Sequence, residues 1–306
     1  MITPIDLRND ASVSRRAALA GLGAIGLGLV FTPNRNEVIA QQATPGSKAA
    51  TPTAEGQMAP INGADLYYEV HGAADGAPVL LLHGAAGNTE EFDELVPALV
   101  EAGYQTVALD ARARGRSTWG DAPITYEQMA ADALGLLDLL GIERTHLVGW
   151  SQGGNVGLEL AIHDPDRLGR VVVYGANFRP DGNYAEIQPS DQLPPFEQFV
   201  EDYQRLSPEP ERFEELLEVL GGLDAVAPDY TDEELGSITV PVLVLDGAEE
   251  EFVKPNHTVL MADLIPGAEL VVMPGTGHFA PWAQPAEFNR IVLDFLAAEA
   301  AATAAS

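Results

Sequence analysis

Ser151 lies in the run Gly149-Trp150-Ser151-Gln152-Gly153, where the neighbouring residues can turn a hydroxyl into a nucleophile. Leu147 and Val148 before it are apolar and suited to a buried strand. Val156, Leu158, Leu160, Ala161 and Ile162 after it put apolar side chains at helical spacing. A serine between strand and helix, with glycine two residues away on either side, has the form of a nucleophile elbow. So tight a turn leaves no room for a Cβ at the flanking positions. It lifts the hydroxyl above the sheet edge, at a helix N-terminus where negative charge is favoured. A serine hydroxyl attacks a carbonyl carbon only if a base takes its proton. His278, after Gly275-Thr276-Gly277, is the candidate base.

The elements that must position these groups alternate along the chain. Asn62-Gly63 opens a hairpin into a strand over 64–70, and 78–82 is a continuous apolar run ending in His83-Gly84-Ala85-Ala86-Gly87. A helix is expected over 89–102 and a strand over 106–109. A helix over 126–140 is stopped by Gly141, and the elbow strand and its helix follow, to about Asp164. After a strand over 170–174 the alternation breaks. Residues 178–236 hold proline-punctuated helical pieces at 196–206 and 210–220, which reads as a helical cap inserted over the carboxyl edge of the sheet. Alternation resumes with a strand over 240–245, a helix over 256–264, a strand over 270–273 and a helix over 285–298. Strands alternating with helices imply a mostly parallel, doubly wound α/β sheet covered on both faces. The core then comprises residues 58–177 and 237–300.

Composition narrows the function classes. The 306 residues carry a net charge of −30, which disfavours nucleic acid and anionic membrane surfaces as partners and leaves a small molecule as the expected one. With no cysteine, disulfides, thiolate metal sites and a cysteine nucleophile are excluded. His71, His146, His163 and His257 lack ligand spacing, so no metal and no cofactor is expected. Gly21-x-Gly23-x-x-Gly26 follows no strand and is not a dinucleotide site. Ser14-Arg15-Arg16 before an apolar run over 17–31 looks like a twin-arginine signal, giving residues 1–40 as a signal peptide and 41–57 as a flexible leader. Export to a periplasmic or extracellular location follows, with no stable membrane association after signal removal.

Four motifs in order, His83-Gly84, Asp110-x-Arg112-x-x-Gly115-x-Ser117, Gly149-x-Ser151-x-Gly153 and Gly275-x-Gly277-His278, make the chain resemble the α/β-hydrolase family from about Ala59 to Ala298. The resemblance implies Ser151 as nucleophile, His278 as base, and an oxyanion hole formed by the backbone N–H groups of Ala85 and Gln152. It makes His83 structural and gives Asp110 and Arg112 the task of holding their loop. The family's acid is an aspartate three residues after a glycine. Here that position, aligned on Gly247 and on Phe252-Val253, holds Glu250, with Glu249 and Asp246 as competitors. Haloalkane dehalogenases and most epoxide hydrolases of this fold are less similar, since they carry aspartate at the Ser151 position. The implied function is a cofactor-independent serine hydrolase acting on a small ester or lactone through an acyl-enzyme. Perhydrolase or C–C bond hydrolase chemistry on the same triad, or a non-catalytic binding protein of this fold, are the alternatives.

Overall fold

The structure, a computed structural model, describes residues 56–304, and side chains as far as Ala298. The signal-peptide reading of residues 1–40, and all of the leader but its last two residues, lie outside the described residues. The first strand already begins at Gln57, the last residue of the expected leader.

Eight strands form one sheet in the order β1-β2-β4-β3-β5-β6-β7-β8. They are β1 Gln57–Ile61, β2 Ala64–His71, β3 Ala77–Leu82, β4 Tyr104–Leu109, β5 Thr145–Trp150, β6 Leu168–Tyr174, β7 Val242–Gly247 and β8 Glu269–Met273. β1 and β2 form the antiparallel hairpin turned at Asn62-Gly63, and β2 runs antiparallel to β4. From β4 across the sheet to β8 every pairing is parallel, so the six carboxyl ends point the same way.

Period-two alternation explains the two cores. Leu80 and Leu82 of β3, Leu147 of β5, and Val242 and Val244 of β7 pack on one face. Val79, Leu81, Val148, Trp150, Leu243 and Leu245 pack on the other. The first face is covered by α2 (Tyr126–Leu139) and α3 (Gln152–His163), the second by α1 (Leu95–Glu101) and the C-terminal helix α9 (Pro285–Ala304). Where both faces are buried, as in β3 and β7, the strands read as unbroken apolar runs. Truncating one such residue, as in Leu81→Ala, would cost about 2–5 kcal/mol.

Local signals set the boundaries. Thr125 caps α2 by accepting a hydrogen bond from the Gln128 amide at 3.1 Å. The single helix expected over 89–102 is instead a 3-10 turn at Thr89–Phe92 followed by α1. The turn is pinned from outside, because Asp110 accepts from the Thr89 amide at 2.6 Å. Between β6 and β7 lie α4 (Phe196–Leu206), α5 (Phe213–Asp224) and α6 (Asp232–Gly236), with no named strand among them. Pro210–Arg212 forms a 3-10 turn, so the second helix starts later and runs longer than the apolar spacing implies. The short α6, closed by a capping box between Thr231 and Glu234, was not expected from apolar periodicity. α7 (Pro255–Leu264) and the one-turn α8 (Ala280–Ala283) complete the chain.

Candidate active site

The carboxyl ends of β3, β5, β6 and β7 converge on one cavity of about 230 Å³. Ser151 begins α3 with φ 54° and ψ −117°, a left-handed backbone that a non-glycine residue adopts only under strain of about 1–3 kcal/mol. The flanking glycines permit it. A Cβ on Gly149 would lie 2.3 Å from the Gly153 carbonyl oxygen, and one on Gly153 would lie 2.0 Å from that of Leu82. The elbow is held by the Ser151 amide donating to the Tyr174 carbonyl at 2.7 Å, and it presents Ser151 to the cavity.

His278 reaches the same cavity from the loop after β8. Its Nδ1 is 2.8 Å from Glu250 Oε1, and both residues are buried. That oxygen also accepts from the amides of Phe252 at 2.9 Å and Val253 at 3.3 Å. Of the three candidate acids, Glu250 is therefore the one the fold brings to the imidazole. Glu249 is exposed and accepts from Gln192 Nε2 at 3.1 Å. Asp246 is buried beside Glu250 and accepts from Thr258 Oγ1 at 2.5 Å. Burial pushes the His278 imidazole down to about 4 and Glu250 up to about 7, with the amide donors to Glu250 acting in the opposite direction. A neutral imidazole with Nδ1–H directed at a carboxylate leaves Nε2 free to accept a proton.

The groups expected to hold an oxyanion also line the cavity. Ala85 follows Gly84, and Gln152 is the first residue of α3, where helix geometry leaves the amide without an intrahelical acceptor. The preceding loop is held by His83, whose Nδ1 donates to the Gly84 carbonyl at 2.7 Å while its Nε2 accepts from the Ala111 amide at 2.9 Å. Burial drives His83 down to about 3, in keeping with that neutral, structural use. Asp110 accepts from the amides of Thr89 and Arg116, and Arg112 pairs with Asp132 at 2.6 and 2.7 Å. Neither lines the cavity. Outside the site, the Nε2 of His257 accepts from the Phe178 amide at 3.1 Å.

Several site residues were not found by sequence reasoning. Glu91 is buried, lines the cavity, and accepts from the Gly84 amide at 3.0 Å; burial pushes its carboxyl up to about 8. Glu251 accepts from the His278 amide at 2.7 Å and so fixes the backbone of the base. Gly175, at φ 56°, lets the imidazole pass, since a Cβ there would lie 2.8 Å from the His278 ring. Only the last had a signal, a glycine ending an apolar strand. Trp150 and Phe279 line the cavity, and the Trp282 ring packs against both. Among the described residues no group of three or more His, Asp or Glu side chains is arranged to hold a metal, and no helix is long and apolar enough to cross a membrane.

Residues 77–215 match the family model described as alpha/beta hydrolase fold. A relative from Variovorax paradoxus (strain S110) bearing the name carbamate hydrolase RutD is 33% identical over 256 residues, covering 76% of this chain and 96% of its own. The 2-hydroxy-6-oxo-6-phenylhexa-2,4-dienoate hydrolase of Comamonas testosteroni is 30% identical over 267 residues, covering 76% of this chain and 92% of its own. A solved hydrolase from Pseudomonas aeruginosa PA01 superposes with a TM-score of 0.64 at 27% identity, over 79% of this chain and 98% of that one. With its parallel sheet, its elbow and relatives that span most of its length, this chain belongs to the α/β-hydrolase family and is a hydrolase.

Proposed function

We propose that the chain is a cofactor-independent serine hydrolase that cleaves a small ester or lactone. The observation that carries this is the pairing of His278 Nδ1 with Glu250 at 2.8 Å, beside a strained Ser151 in the same cavity. Ser151 Oγ attacks the carbonyl carbon as its proton passes to His278 Nε2. The charge that develops on the carbonyl oxygen is met by the amides of Ala85 and Gln152; losing one such donor typically costs about 10²–10³ in rate. Collapse breaks the C–O bond, and His278 returns the proton to the departing alcohol. Water then enters, His278 takes its proton, and the acyl-enzyme is cleaved to the acid and free Ser151.

The cavity wall supports a neutral or cationic substrate. Among the described lining residues the carboxyl groups are Glu91 and Asp224, and no lysine or arginine contributes. The dienoate and dioate substrates in the names of several relatives are anions, and this wall offers them no lysine or arginine to pair with. A small carbamate is the second reading, favoured by the relative named for that activity and by the modest cavity. Leu193, Phe196 and Phe199, from the helical segment between β6 and β7, line the cavity, which supports a cap that sets specificity.

Wild type should hydrolyse p-nitrophenyl acetate or a simple lactone, and Ser151→Ala should lose nearly all of that turnover while keeping its melting temperature. A folded Ser151→Ala variant with most of the activity would remove the serine mechanism. Faster turnover of a small carbamate than of the matched ester would favour the second reading.

A further inference from the structure

The cavity wall is divided. Phe199, Phe252 and Phe279 are joined by ring contacts at 6.2–6.3 Å and make one part apolar. Tyr126, Asn155, Asn177 and Asp224 make another part polar, near the start of α3 and thus near Ser151. The hydrogen bonds among these polar groups decide what that part can receive. Asn155 Nδ2 donates to the Tyr126 hydroxyl at 3.0 Å and to Asn177 Oδ1 at 2.9 Å. Asn155 Oδ1 accepts from the Asn177 amide at 3.0 Å, and Asn177 Nδ2 donates to the Arg179 carbonyl at 3.0 Å. The Tyr126 hydroxyl proton is directed at Asp224 Oδ1, 3.5 Å away. These donors are therefore used within the protein; Gln152, which also lines the cavity, bears on Asp224 from the α3 side, and the acceptor that this part of the wall offers is the carboxyl of Asp224.

Asp224 is the last residue of α5, so its helix ends at the cavity wall with a carboxyl. No cation of the described chain lines the cavity with it; Arg114 lies behind Gln152, its Nη2 donating to Gln152 Oε1 at 3.0 Å. Burial pushes Asp224 up to about 7, with Tyr126, Arg114 and Gln152 pulling the other way. A buried carboxylate needs a positive, hydrogen-bonding partner to be favourable. We propose that Asp224 and Tyr126 form a subsite for an ammonium group, so that the substrate is an amine-bearing ester or lactone. This rests on the ester and lactone reading for the chemistry, but the binding of the amine can be measured without it.

The test uses Ser151→Ala protein and two probes of equal length, hexylammonium and hexan-1-ol, titrated by calorimetry at pH 8. A charged hydrogen bond to Asp224 should make hexylammonium bind about tenfold or more tightly than hexan-1-ol. Asp224→Asn, and separately Asp224→Ser, should bring the two affinities together, with hexan-1-ol binding showing that each variant's cavity is intact. Equal affinities in the parent, or a preference unchanged in a variant that still binds hexan-1-ol, would overturn the subsite. Failure of wild type to cleave any ester would overturn the ester reading instead, while an Asp224-dependent preference for hexylammonium would still stand.

Discussion

Two glutamates in this molecule are almost equally buried and face opposite fates. Glu250, in the loop after β7, is 5% exposed, and one of its oxygens receives the His278 Nδ1 and two backbone amides. Glu91, in the turn after β3, is 7% exposed and receives one amide, that of Gly84. Burial raises both, to about 7 and about 8. The difference lies in what each neighbour asks for. In the proposed mechanism His278 becomes cationic and is stabilised by an anion, so Glu250 would work as a carboxylate. In the same mechanism the Gly84-Ala85 loop meets a developing oxyanion, which a second negative charge would oppose, so Glu91 would serve it best as a neutral acid. Side-chain identity says nothing of this; the number of N–H donors and the charge of the neighbour decide it.

The largest effect should come from Glu250→Gln. Removing the charge that orients and stabilises the imidazolium should lower kcat by about 10³–10⁴ with KM little changed, as measured by steady-state ester hydrolysis. The wild-type pH profile sharpens the assignment. Because burial holds His278 down and Glu250 up, kcat/KM should rise with pH through one acid limb between about 4 and 7, owned by the pair and not by either residue.

A smaller effect should come from Glu91. Above about pH 8 its ionisation places an anion against the Gly84 loop, and kcat/KM should fall by up to about tenfold per pH unit. Glu91→Gln, which cannot ionise, should lack that alkaline limb. An alkaline limb unchanged in this variant would end the contrast between the two glutamates.

Stability offers a milder test of the same residue. The folded value of Glu91 lies above its ordinary 4.5, so its contribution is complete below that pH and is lost as pH rises to about 8. Glu91→Gln should therefore melt higher than wild type at pH 8 relative to pH 5, by about 2–4 °C for each kcal/mol relieved. The smallest effect should be that of Glu249→Gln. This side chain is exposed, and turnover should stay within about twofold of wild type.

The elbow was legible because its constraint is steric and local, glycine at two fixed offsets from Ser151 between a strand and a helix. The parallel sheet was legible because strands buried on both faces leave unbroken apolar runs such as Val79–Leu82. The resemblance to the family's pattern, aligned on Gly247 and on Phe252-Val253, favoured Glu250 and left Glu249 and Asp246 as competitors, and the fold brings Glu250 to His278. Glu91, Asp224 and Tyr126 left no local mark. They come from a turn, the end of an inserted helix and the start of another, and meet only once the cavity exists. The split of the expected helix over 89–102 was hidden for the same reason, since Asp110 pins Thr89 from 21 residues away.

In the proposed mechanism Ser151 is the activated nucleophile of a relay through His278 to Glu250. This assignment is tested most directly by treating the protein with a fluorophosphonate and locating the adduct by peptide mass spectrometry. One stoichiometric adduct on Ser151, formed far more slowly in Glu250→Gln and absent from Ser151→Ala, is the predicted result. An unmodified Ser151 in folded, ester-cleaving protein, or an adduct on another residue, would contradict it.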